Sequence, residues 1–128
     1  MVILFDQYNL PENIYEIIFA TNQQVVVAKL LIDEIKKNGG EIGKTEMSMF
    51  ATALHEGKLV EVEQGMIKKK VNFSYNKRQF YDRILTPMKS MGLIYYDLYK
   101  NNYAVTDQFY KDMLRIGLMW KKELERKV

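Results

Sequence analysis

Residues 85–107 read LTPMKSMGLIYYDLYKNNYAVTD, and no other stretch of the chain limits its fold as much. A helical segment stops at Gly92, a strand LIYYDLY leaves it, the chain turns at KNN, a second strand YAV returns, and Thr106 or Asp107 caps a further helix. Glycine is the usual helix stop. The two Asn tolerate the left-handed backbone that a tight turn needs. A short aromatic hairpin thus stands between two helices. The fold class expected is mainly α with one or two small β-hairpins.

The rest of the chain supplies the helices. Residues 1–8 are apolar and extended in character. NLPENIYEIIF sets Pro11 just inside a helix start, with Asn9 as its cap. In NQQVVVAKLLIDEIKKNGG, Val27, Leu31 and Ile35 recur at four-residue spacing with Ala28 and Ile32 beside them; Thr21 or Asn22 caps the helix and Gly39 and Gly40 end it. EIGK reads as a connecting strand. Thr45 is the expected cap of a third helix whose apolar face is Met47, Phe50, Ala51 and Leu54, and Gly57 stops it. Residues 58–73 change period: Val60 and Val62 alternate with Glu61 and Glu63, and Ile67, Lys69 and Val71 share one side of a second strand. Ser74 is the expected cap of a helix YNKRQFYDRILTPMKSM with Phe80, Ile84, Met88 and Met91 on one face. Pro87 has no N–H for the carbonyl of Arg83, so a kink or a tightened last turn is expected there.

At 128 residues the chain has enough length for one domain with a core. Its apolar runs are shorter than the roughly 20 residues a membrane-crossing helix needs, and MVILFDQ has no basic segment or cleavage pattern. With no cysteine there is no disulfide or thiolate zinc site, which fits a reducing, cytoplasmic setting. The charge is uneven. Residues 1–65 carry 5 Lys/Arg against 10 Asp/Glu, residues 66–100 carry 8 against 2, and residues 101–128 carry 6 against 4. A basic middle segment suggests a polyanionic partner.

The order of elements resembles the winged helix-turn-helix family of DNA-binding domains. The resemblance is carried by ILTPMKSMGLIYYD and NYAVTD in residues 84–107. These are similar to the end of the recognition helix, the GLI exit, the wing and the Thr that opens the next helix in bacterial and archaeal transcriptional regulators. It extends over roughly residues 21–106, leaving 1–20 as an N-terminal extension and 107–128 as an extra C-terminal helix. One departure is plain: in the family the second and third helices are joined by a short turn, and here residues 58–73 intervene with a hairpin of their own.

The resemblance implies sequence-specific duplex DNA binding and transcriptional regulation. Such a helix buries one face and offers the other to the major groove. Tyr75, Asn76, Arg78, Gln79 and Arg83 are the expected base-reading residues, because Arg bonds guanine and Asn or Gln bonds adenine in a bidentate way. Lys68, Lys69, Lys70, Lys77, Lys89 and Lys100 are the expected phosphate contacts. A rival reading is a winged-helix module that holds a larger protein assembly together. A third is single-stranded nucleic acid or RNA stacked on Tyr95, Tyr96, Tyr99 and Tyr103, although strand tyrosines mostly pack across the sheet. No cofactor or metal is expected: His55, the single histidine, reads as a helix-end residue. Glu61 and Glu63 read as surface charge, and GEIGKT lacks phosphate-loop spacing, so an enzyme is not expected.

In the C-terminal segment Phe109, Met113, Ile116, Trp120 and Leu124 form one apolar stripe, widened by Tyr110, Leu114, Leu118 and Met119. A helix packing only on its own domain needs one stripe. The surplus points to a homodimer through this helix with help from residues 1–19; the competing expectation is that the N-terminal helix covers it within one chain.

Overall fold

The computed structural model describes residues 5–57 and 73–128, together with the backbone of two short strands between them. The element order is α1 (Ile14–Ile18), α2 (Asn22–Lys37), β1 (Glu41–Gly43), α3 (Lys44–Glu56), β2 (Val62–Gln64), β3 (Ile67–Lys69), α4 (Lys77–Phe80), a π-helical turn (Tyr81–Leu85), α5 (Thr86–Ser90), β4 (Ile94–Asp97), β5 (Asn102–Val105) and α6 (Gln108–Glu125). The described chain is mainly helical, with a three-stranded antiparallel sheet in the order β1-β5-β4 and a separate β2-β3 hairpin.

The core follows the apolar periodicity. α2 buries Val27, Ala28, Leu31, Ile32 and Ile35, and α3 buries Met47, Phe50, Ala51 and Leu54. Ile42 of β1, Ile94 of β4 and Tyr103 of β5 join the same cluster from the sheet. β1 pairs with β5 in the register Ile42↔Tyr103, so the connecting strand closes the hairpin onto the body. Among the described residues no polar or charged side chain is buried.

Several local expectations are corrected. α1 starts after Pro11, at Ile14, because Asn13 Oδ1 accepts from the Tyr15 amide at 2.8 Å; Asn9 instead donates its amide to the Asp6 carbonyl in a turn, so residues 5–8 are not a strand. Residues 1–4 lie outside the described residues. Thr21 caps α2 as expected, through its hydroxyl and the Gln24 amide at 3.2 Å. α3 begins one residue before Thr45: Gly43 is its cap, and Glu46 reaches back to accept from the Gly43 amide at 3.2 Å. Asn76, not Ser74, caps α4.

At Pro87 the helix widens instead of tightening. The Thr86 amide donates to the Tyr81 carbonyl, five residues back, which defines a π turn just before the proline. The extra residue lets the helix pass the bond Pro87 cannot make and turns Leu85 inward beside Phe80, Ile84 and Met88. Met91, expected on that face, is only half-buried.

α6 leaves the body. Its first turn is held by the Phe109 amide donating to the Gly92 carbonyl at 3.0 Å. Phe109 and Met113 are half-buried, whereas Ile116, Trp120 and Leu124 are exposed and no residue of α6 is fully buried. α1 packs on α2, so it does not account for the α6 stripe. None of the described helices is long and apolar enough to cross a membrane.

Candidate nucleic-acid interface

The exposed face of helix 77–90 is set by how α3 ends. At Gly57 the backbone turns left-handed (φ 76°), and two carbonyls in the last turn of α3 are bonded by Ser74 and Tyr75. The Ser74 hydroxyl donates to the His55 carbonyl at 2.8 Å, and the Tyr75 amide donates to the Leu54 carbonyl at 3.0 Å. A Cβ on Gly57 would meet the Phe73 carbonyl at 3.4 Å. The chain therefore departs and returns at one place, and the long connection leaves α3 and α4 packed against each other, with the Phe50 and Phe80 rings 5.6 Å apart.

Two more bonds fix the start of α4. The Lys77 amide donates to His55 Nδ1 at 3.2 Å, so the neutral ring carries its proton on Nε2. Asn76 Oδ1 accepts from the Gln79 amide at 3.1 Å. Both satisfy amides that a helix start leaves free. His55 is thus more than a helix-end residue favoured by the dipole, and among the described residues no His, Asp or Glu group is arranged to hold a metal.

The expected base-reading residues separate. Arg78, Gln79 and Arg83 are exposed on one helix. Among the described residues Arg78 pairs with Asp82, with Nε 3.9 Å from the carboxylate and a side chain 92% exposed, a surface pair worth little. Asn76 is exposed, but its oxygen is already used in the cap. Tyr75 leaves the set: it is only 4% exposed, packed in the core where the chain returns to α3. Periodicity had placed it outward by extending the helix back to it; with α4 starting at Lys77, that projection no longer applies.

The expected phosphate contacts separate as well. Lys77 is half-buried, and its ammonium donates to Thr52 Oγ1 at 3.0 Å and Ser48 Oγ at 3.3 Å. Lys89 is exposed, and its ammonium lies 5.5 Å from the Tyr96 ring centre and 5.9 Å from that of Tyr103, a cation–π contact between helix and hairpin. Lys100 is exposed at the hairpin tip. The tip is ordered by Asp97, whose Oδ1 accepts from the Tyr99 and Lys100 amides, and by Asn101 in the left-handed region at φ 53°. Lys68 and Lys69 lie on β3, opposite Glu63 and Val62, but their side chains and all of Lys70 are outside the described residues.

The hairpin tyrosines divide by face. Tyr96 and Tyr103 are cross-strand partners with ring centres 4.6 Å apart, while Tyr95 and Tyr99 are exposed, as is Leu98. Between α3 and α4 lies a shallow concavity of about 450 Å³, lined by Thr52, His55, Asn76, Lys77, Arg78 and Tyr81. Sequence reasoning missed Ser48, Thr52 and the role of His55, which become neighbours of Lys77 only when the helices pack. It also missed Lys44, an exposed cation whose amide donates to the Asn101 carbonyl at 3.0 Å beside the hairpin tip. Only the β1–β5 pairing brings it there.

No protein-family model, no curated protein and no solved structure matches the chain.

Proposed function

We propose that the chain is a cytoplasmic winged helix-turn-helix protein that binds duplex DNA with sequence preference and regulates transcription. In this reading helix 77–90 is the recognition helix and β4–β5 the wing. The observation that carries it is the two-sidedness of that helix: Phe80, Ile84, Leu85 and Met88 are buried while Arg78, Gln79 and Arg83 are exposed together. A helix presented this way suits a major groove, where Arg and Gln distinguish bases.

Lys100 and Lys44 near the wing, with Lys68 and Lys69 on the inserted hairpin and Lys70 next to them in the sequence, supply the backbone contacts. Lys89 and Lys77 keep a supporting part, since each ammonium already has partners in its own chain. The acting unit is a homodimer, because two copies place two recognition helices on a two-fold duplex.

The test is fluorescence anisotropy with a random duplex at two salt concentrations. Binding that weakens steeply with salt supports the reading; absence of binding at the lower salt overturns it. One observation favours the rival reading, a protein-interaction module: Leu98 and Tyr99 are exposed at the hairpin tip, Tyr99 at 98%. Loss of a protein partner, with DNA binding unchanged, on Leu98→Asp would support it.

A further inference from the structure

We propose that the outward face of α6 is a self-association surface, on which α6 of a second copy packs with Gly117 at the point of closest approach. The proposal rests on the two-copy part of the functional reading and not on DNA binding.

Three observations carry it. First, α6 continues its apolar stripe beyond the turns that touch the body: Ile116, Trp120 and Leu124 follow Phe109 and Met113, and all three are more than half exposed. Such a stripe has a partner in a stable soluble helix. Second, Gly117 lies at the middle of α6, on the flank of this stripe, and a Cβ built there meets no atom within 4 Å. A mid-helix glycine weakens a helix relative to alanine. No contact among the described residues calls for one here, and a glycine at this position lets the backbone of a crossing helix approach closely.

Third, a second copy suits the surface in both charge and size. Residues 107–128 carry 6 basic and 4 acidic side chains, so the flanks are mixed in sign and ask for no strongly charged complement. A two-fold contact brings the same stripe and the same glycine together from both sides. Leu114 and Met119, flanking the stripe on its two sides, are also exposed. Two such faces in contact remove on the order of 1,000 Å² from water, the lower limit for a specific interface.

Trp120 is the single tryptophan and therefore an internal probe. The full chain is examined by sedimentation and by tryptophan emission over about 1–100 μM, the range in which moderate interfaces form. The expected result is a monomer–dimer equilibrium with emission moving to shorter wavelength as dimer forms. Trp120→Glu should be monomeric with an unchanged helical circular dichroism spectrum, since the residue lies outside the core. Gly117→Leu keeps a good helix former and adds apolar surface, yet should raise the dissociation constant at least tenfold. A monomeric intact chain at the highest concentration overturns the proposal, as does a dimer that survives Trp120→Glu. Tighter association with Gly117→Leu overturns the crossing at Gly117. A chain monomeric throughout, whose emission shifts only with anionic phospholipid vesicles, overturns it in favour of a lipid surface. None of these measurements contains DNA, so failure to bind a duplex would leave the dimer standing and remove only the functional reading.

Discussion

The Lys77 ammonium lies 3.0 Å from the Thr52 hydroxyl, and this bond joins the first residue of α4 to the third turn of α3. With the Ser48 contact and the backbone bond to His55, one residue makes three connections to the preceding helix. The angle at which helix 77–90 is presented depends on them.

Replacing Lys77 by Met keeps the stem and removes both hydroxyl bonds. The expected cost is about 1 kcal/mol, the usual size for partly exposed hydrogen bonds. His55→Ala should cost a similar amount by leaving the Lys77 amide without its acceptor. Urea midpoints of the two variants and the parent measure this directly. Midpoints within error of the parent would mean that packing of Phe50 on Phe80 holds the helix pair alone.

Arg78 and Gln79 are the residues that should separate reading from positioning. Arg78→Ala is expected to cost about 1–3 kcal/mol on a selected site and to relax the preference at one base pair. Lys100→Ala should weaken all duplexes alike and reduce the salt slope by about one. Selection from a random library, repeated with each variant, checks both. If Arg78→Ala lowers affinity equally on every sequence, Arg78 belongs with the phosphate contacts.

How far the sequence carried this structure depended on which force set each feature. The faces of α2 and α3 follow from apolar spacing because burial decides them, but the strand expected as LIYYDLY ends at Asp97, so Tyr96 and not Tyr99 stands opposite Tyr103. Helix starts were harder. Asn13, Gly43 and Asn76 took the cap positions expected for Asn9, Thr45 and Ser74, since several neighbouring residues have the right chemistry and tertiary contacts choose among them. Ser74 was drawn away by the His55 carbonyl. The π turn was signalled by Pro87, but the direction of the response was not. On the candidate interface, the exposure of Arg78, Gln79 and Arg83 was legible from period alone. The hydroxyls around Lys77, and Lys44 beside the hairpin, depended on packing between elements distant in sequence.

Alkaline pH should reveal the two tyrosines held neutral. Burial, and then the nearby Asp33 carboxylate, raises the pKa of Tyr15; burial, then Tyr81 and Tyr96, raises that of Tyr103. A phenol whose folded pKa lies above its unfolded value contributes stability that is fully present below the unfolded value of about 10 and is lost as pH rises through the folded one. Stability should therefore be unaffected by these groups up to about pH 10 and fall above it. Tyr15→Phe with Tyr103→Phe should flatten the fall. Urea midpoints between about pH 8 and 11 are the measurement, and an equally steep fall in the double variant would assign it to other groups.

Gly92 and Gly39 offer a matched pair for the junction between the sheet and α6. Both stand at φ 79°, so alanine at either meets the same left-handed backbone cost, about 1 kcal/mol. Their surroundings differ. A Cβ at Gly39 meets nothing within 4 Å, whereas at Gly92 it lies 3.1 Å from Gln108 Cβ and 3.2 Å from the Phe109 amide nitrogen. That amide donates to the Gly92 carbonyl, so relief of the clash must move the first turn of α6 and lengthen the bond that anchors it. Gly92→Ala should therefore destabilise the chain by about 1–3 kcal/mol more than Gly39→Ala, within the range for overpacking. Hydrogen exchange should show the extra loss at the amides of residues 108–112 and leave α2 unchanged. Equal unfolding midpoints for the two variants would show that α6 yields freely at its base, and that the backbone bond from Phe109 does not hold it.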